Sequence, residues 1–121
     1  MHLQLNWIRC GEQQLWCQLE AVDLTHSHFD NLGGVYIIWH GGTSPATVRV
    51  GQGMIRDRLT AHRNDVAITK YRDQGLFVTW AKVPVDQRDG VERYLADRLQ
   101  PEVGTVFPGA TPVPVNLPWD A

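Results

Sequence analysis

Four side chains, in chain order Tyr36, Arg58, His62 and Glu92, carry the groups that phosphodiester hydrolysis needs. A phenol or an imidazole can take a proton from an attacking water, and a guanidinium can stabilise charge on a five-coordinate phosphorus. A carboxylate can hold a divalent cation. Tyr36 closes the segment Gly34-Val35-Tyr36, and a second short segment, Arg49-Val50-Gly51, runs straight into the stretch bearing Arg58 and His62. These two are spaced i, i+4, so on a helix both project from the same side. Each residue also has a purely structural reading. A tyrosine in an apolar stretch is commonly a core residue, and a histidine on the apolar face of a helix is commonly half-buried.

The elements that must position these groups follow from periodicity. His2–Arg9 alternates Leu3, Leu5 and Trp7 with other residues, as a half-buried strand does. Cys10-Gly11-Glu12-Gln13 reads as a turn and Leu15–Leu19 as a second strand, so an N-terminal β-hairpin is expected within residues 1–32. Asp23–Leu32 is polar and loop-like. Val35–Trp39 is a continuous apolar run, the mark of a central buried strand. A breaker stretch, His40–Thr47, leads to a strand over Thr47–Val50, and the short connection favours antiparallel pairing. Gly53–Arg63 reads as a helix, Leu76–Val83 as a strand ended by Pro84, and Asp86–Gln100 as a helix stopped by Pro101. The stretch Val66–Tyr71 is ambiguous. The tail holds Pro108, Pro112, Pro114 and Pro118 and is expected to be extended, packing back through Phe107, Val113, Val115 and Trp119. The order hairpin, strand, strand, helix, strand, helix, tail predicts an α+β fold with a small, mostly antiparallel sheet in one domain of 121 residues.

Net charge is −2, which argues against a nonspecific nucleic-acid binder, but the charge is unevenly spread. Residues 49–72 hold six basic residues (Arg49, Arg56, Arg58, Arg63, Lys70, Arg72) and two acidic ones, between acidic ends. Phosphate recognition needs such a local patch, although a solvated helix face has the same composition. No apolar run reaches the length of a membrane span, and the N-terminal residues have no signal-peptide pattern. Cys10 and Cys17 lack a CxxC spacing and suggest a reducing, cytoplasmic setting; a disulfide across a hairpin stays open.

Other motifs carry less. Gly51-Gln52-Gly53 suggests a dinucleotide fold, but Arg56 stands where a third glycine belongs and βαβ spacing is absent. His26-Ser27-His28 has no accompanying ligand cluster. The cysteines lie in strand-like settings unsuited to a Cys–His nucleophile. Glu92 has two readings. Asp89-Gly90-Val91-Glu92 has capping-box spacing, whereas a helix starting at Asp86 places Glu92 inside it, as a carboxylate bordering the core.

Taken in order, these segments resemble the GIY-YIG nuclease family over residues 33–108. Gly34-Val35-Tyr36 is similar to its first motif, and Arg49-Val50-Gly51 to its second, with Arg49 in place of the tyrosine. Arg58-Leu59 with His62 is similar to the family's arginine-bearing helix, and Val91-Glu92 followed by Pro101 to the helix carrying its metal-binding glutamate. The asparagine usual after Pro101 is replaced by Gly104, with Asn116 as a substitute if the tail folds back. The resemblance implies a three-stranded central sheet flanked by helices, with the hairpin and the tail of residues 109–121 as additions. It also implies an endonuclease acting on DNA, branched or damaged DNA included, with one divalent metal, magnesium, held by Glu92. Tyr36 or His62 would activate water, Arg58 would stabilise the pentacoordinate phosphate, and Arg49 would add a second positive contact. Arg49, Gly51, Arg56, Arg63 and Lys70 form the expected nucleic-acid surface. Two other functions fit the same residues: an inactive nucleic-acid-binding module on this fold, and a protein-interaction domain that uses the Pro-rich tail.

Overall fold

A computed structural model gives the fold and describes residues 3–104 and 107–119. It is an α+β structure built on one antiparallel sheet of four strands in the order β1-β4-β2-β3. The strands are β1 (Cys17–Gln18), β2 (Gly33–His40), β3 (Ala46–Met54) and β4 (Leu76–Lys82). Three α-helices accompany them among the described residues: α1 (Ile55–Arg63), α2 (Val66–Thr69) and α3 (Arg88–Leu99). Short 3-10 turns at Ser27–Phe29 and Arg72–Gln74 lie in the connections.

All eight residues of β2 are buried, because β3 and β4 flank it and both faces are covered. Alternate side chains feed two cores. Tyr36 and Ile38 join Val48, Ile55, Leu59 and Ile68 on the face of α1 and α2. Val35, Ile37 and Trp39 join Val50, Val91, Leu95 and Val115 on the face of α3. The sheet is thus the middle of three layers.

β3 runs to Met54, beyond the Thr47–Val50 expected, because Gly51, Gln52 and Gly53 pair with Tyr36, Val35 and Gly34. Gly53 has φ +128°, which no helix accommodates, so α1 starts two residues later than expected. Its first residue donates its backbone N–H to Leu32 O at 3.0 Å in place of a side-chain cap. The ambiguous stretch after α1 contains α2, capped by Asp65 through Ala67 N.

The expected N-terminal hairpin and three-stranded sheet are replaced by a different arrangement. Only the bridge Cys10↔Leu15 remains of the hairpin, and Cys17–Gln18 becomes the fourth strand of the sheet by pairing with Phe77 and Val78. Leu3–Trp7 lies instead beside the C-terminal tail, with a parallel bridge Leu3↔Val115, and Ile8 hydrogen-bonds β4 at Trp80 O and Thr79 Oγ1. Its alternating Leu3, Leu5 and Trp7 pack into the α3-side core, so the tail outcompetes a hairpin partner. His2 lies outside the described residues. Cys10 and Cys17 are joined in a disulfide, so their spacing carries no argument for a reducing compartment. The tail packs back as expected: Val115 is buried, Val113 N–H donates to Gly90 O, and Trp119 meets Trp39 edge-on. No helix among the described residues is long and apolar enough to cross a membrane.

Candidate active site at the edge of the sheet

Tyr36 is the centre of the arrangement. It lies opposite Gly51 across the β2–β3 ladder, and its ring leans over that glycine toward the outer edge of the sheet. A methyl group on residue 51 would overlap the Tyr36 hydroxyl, so the glycine of the second segment is what lets the phenol lie there. From α1, His62 brings its Nε2 to 2.5 Å from the Tyr36 hydroxyl, in a buried hydrogen bond. The expected i, i+4 relation holds: both Arg58 and His62 lie on α1, one exposed and one buried, and both act on Tyr36.

Arg49 reaches the same place by strand alternation, two residues before Gly51 and opposite Ile38, with a β-bulge just before it. The register passes from Ile38↔Arg49 to Trp39↔Thr47, so Val48 is an extra residue on β3. A bulge turns a side chain away from strict alternation, and Val48 and Arg49 both serve the α1 side. The Arg49 guanidinium acts on Tyr36 by charge and hydrogen bonding, and on His62 by charge. The short segment after α3 lies over it. Glu102 N–H donates to Thr47 O at 3.0 Å and Val103 N–H to Val48 O at 2.8 Å, which brings Gly104 against Arg49.

Glu92 comes from the other face of the sheet. It is the fifth residue of α3, well inside the helix, and Gln87 holds the N-cap position, so the capping-box reading gives way to the interior one. Glu92 is only 8% exposed and follows Val91, whose side chain is fully in the core. Gln52, on the α3 side of β3, hydrogen-bonds Asp89 and supports Glu92. Tyr36, Arg58 and His62 thus lie on the α1 side of the sheet and Glu92 on α3, with the Glu92 charge acting on Tyr36.

The electrostatics follow from burial. Desolvation pushes the Tyr36 phenol above its usual pKa, against the pull of Arg49 and Arg58. His62 is lowered to about 4, first by burial and then by the charges of Arg49 and Arg58. It is a neutral imidazole near pH 7, so the phenol donates and Nε2 accepts. Burial raises Glu92 as well, opposed by hydrogen bonding from Gln52 and by Arg49 and reinforced by Asp89.

The remaining candidates are placed elsewhere. Arg56 donates to Leu24 O, His26 O and Asp30, and Arg63 to Leu19 O and Val22 O, so both guanidiniums pin the 19–30 segment to α1. Lys70 sits over the ring of Tyr71. Asn116 does not reach the site: its Oδ1 accepts from Leu5 N at 2.6 Å and its Nδ2 donates to Leu5 O at 3.0 Å. Gly51 serves as a space for the phenol. Among the described residues no group of three or more His, Cys, Asp and Glu is placed to hold a metal ion. Glu92, with Asp89 one turn before it, fits a cation of magnesium type, which takes one or two carboxylates and leaves its other positions to water and phosphate. Cavities of about 450 and 500 Å³ open elsewhere, beside Trp39 and Trp119 and beside Trp80 and Lys82.

Gln52, Asp89 and Gly104 escaped sequence reasoning. Gln52 was legible as the residue between two glycines that alternates to the opposite face, and Asp89 as the i−3 neighbour of Glu92. The contact of Gly104 with Arg49 depends on the path of the chain after Pro101 and has no local signal. No family model matches this chain, no curated protein is similar to it, and no solved structure matches its fold.

Proposed function

We propose that this protein is a metal-dependent endonuclease of the GIY-YIG type that hydrolyses phosphodiester bonds in DNA. The observation that carries the proposal is the buried hydrogen bond between the Tyr36 hydroxyl and His62 Nε2, with Arg58 and Glu92 acting on the same phenol. An isolated phenolate is disfavoured here, since burial raises Tyr36. A neutral His62 resolves this: as water attacks phosphorus, its proton passes to the Tyr36 oxygen while the phenol proton passes to Nε2. The new P–O bond forms as the bond to the leaving oxygen breaks, and that oxygen takes a proton from solvent. Arg58, exposed and without a hydrogen bond to protein among the described residues, is available for the charge that builds on the phosphate oxygens. The cost of protonating His62 beside two guanidiniums falls when the anionic phosphate enters and offsets their field. Glu92 would hold the divalent cation, magnesium by the family resemblance, and the cation when bound supplies Lewis-acid polarisation of a phosphate oxygen.

Nicking of supercoiled plasmid and cleavage of branched and damaged duplexes with magnesium test this reading. Wild-type protein cleaves, and Tyr36→Phe, His62→Gln and Glu92→Ala each lose on the order of 100-fold or more. Absence of cleavage over that panel, or wild-type rates in Glu92→Ala, overturns it. A second reading, a binding module without cleavage, is favoured by the small carboxylate set at the site. It predicts salt-sensitive DNA binding with no product at any magnesium concentration.

A further inference from the structure

Arg49 stands where the resemblance places a second phenol, and its surroundings are those of a binding group. Among the described residues it is the one charge that acts on Tyr36, His62 and Glu92 alike. Its Nε is buried with no hydrogen-bond partner, and a buried donor without an acceptor is a costly arrangement that invites a ligand to fill it. The ion pairs among the described residues are Arg56–Asp30, Arg72–Glu20 and Arg93–Asp97, so Arg49 is in none of them. Arg56, Arg63 and Arg72, from the same basic segment, have carbonyls or carboxylates already.

The guanidinium is also held in place before any ligand arrives. Strand alternation from Gly51 aims it, and the 102–104 segment, pinned to Thr47 and Val48, closes over it. Gly104 has φ +96°, and a Cβ there would stand 2.8 Å from Arg49 Nη1. A side chain at 104 would meet a backbone penalty, and the guanidinium of Arg49 would have to move aside for it. A long cationic side chain normally loses rotamer freedom when it captures an anion; here much of that ordering is done by folding.

We propose that Arg49 is a preorganised seat for a phosphate group of the substrate backbone, one that binds the anion without any metal. This rests on reading the site as one for phosphodiesters. The planar guanidinium can face two phosphate oxygens at once, and Nε gains the acceptor it lacks. The tyrosine expected at this position would supply a proton-transfer group; Arg49 supplies binding instead, leaving proton transfer to Tyr36 and His62.

The test uses the full chain in EDTA at pH 7.5, with inorganic phosphate as the probe and the ring resonances of His62 as the readout. Wild type should show a saturable shift. Arg49→Gln should weaken phosphate affinity at least 10-fold, Arg49→Lys should fall between the two, and Lys82→Gln, a charge loss on the far strand, should match wild type. Thermal unfolding of each variant shows whether it is folded. Should Arg49→Gln not fold, the comparison of Arg49→Lys with wild type still decides. No saturable shift in wild type, or equal affinities in wild type and both Arg49 variants, overturns the seat. Plasmid cleavage by the same preparations separates the two readings. Phosphate binding without cleavage sinks the nuclease and keeps the seat, whereas cleavage with no dependence of phosphate binding on Arg49 sinks the seat and keeps the nuclease.

Discussion

At the scale of single residues, His62 couples the chemistry of the site to the stability of the fold. Its folded pKa of about 4 lies below the 6.5 of an unperturbed imidazole. Between these values the unfolded chain binds the proton more readily, so stability is complete above pH 6.5 and falls as pH drops toward 4. The shift corresponds to on the order of 3 kcal/mol. Glu92 acts in the opposite sense: its raised pKa stabilises the protonated form, and that contribution fades as pH rises above 4.5. Urea unfolding between pH 4 and 7 should show stability rising with pH, and His62→Phe should flatten that slope; an unchanged slope would place the titration on another group. Gly51 makes a second residue-scale test. Gly51→Ala puts a methyl where the Tyr36 hydroxyl lies, so cleavage should fall at least about 100-fold while stability drops by about 1–3 kcal/mol. Full activity in Gly51→Ala would mean that the phenol acts from another position.

At the scale of elements, the sequence was most legible where one local signal decides. The apolar run of β2 and the stripes of α1 and α3 announce themselves because each buries a continuous surface, and Tyr36, Arg58, His62 and Glu92 could be placed on them. What was illegible depends on long-range pairing. The bulge that puts Val48 on the same side of the sheet as Arg49 exists only in the register of β3 against β2. Nor does the basic segment 49–72 reveal that Arg56 and Arg63 spend their donors on the carbonyls of the 19–30 segment, which contacts them only after folding. Arg63→Ala strips Leu19 O and Val22 O of their donors and should cost about 1–3 kcal/mol, with little change in the salt dependence of DNA binding. A fall of one phosphate contact in that salt slope would return Arg63 to the nucleic-acid surface. Gly34 teaches a related lesson. A side chain there would run into the Ala81 carbonyl, so this glycine of the first motif is demanded by the approach of β4 and not by chemistry.

At the scale of the whole molecule, the first and last described segments are laced together. Leu3 N–H donates to Pro114 O, the Trp7 indole to Asn116 O, and the Asn116 amide spans the Leu5 backbone. Val115 is 2% exposed within the α3-side core, and Val113 lies against Gly90, two residues before Glu92. The tail is therefore a wall of the fold. Deleting residues 110–121 should abolish the cooperative thermal transition along with cleavage. A truncated chain that kept its near-ultraviolet spectrum and its melting temperature would show that the tail is dispensable.

That lacing also bears on how the protein is made. A ribosome releases Leu3 about a hundred residues before Val115, so the N-terminal strap has no partner for most of synthesis. The edge strand, the bulge and α1 can assemble on the nascent chain, but the helix that carries Glu92 is not backed by Val113 until the tail has emerged. A nascent chain stalled before that point should hold the phenol and imidazole in register and still lack a fixed carboxylate. The helix that carries Glu92 would thus gain its backing from Val113 only late in synthesis, once the tail has left the ribosome.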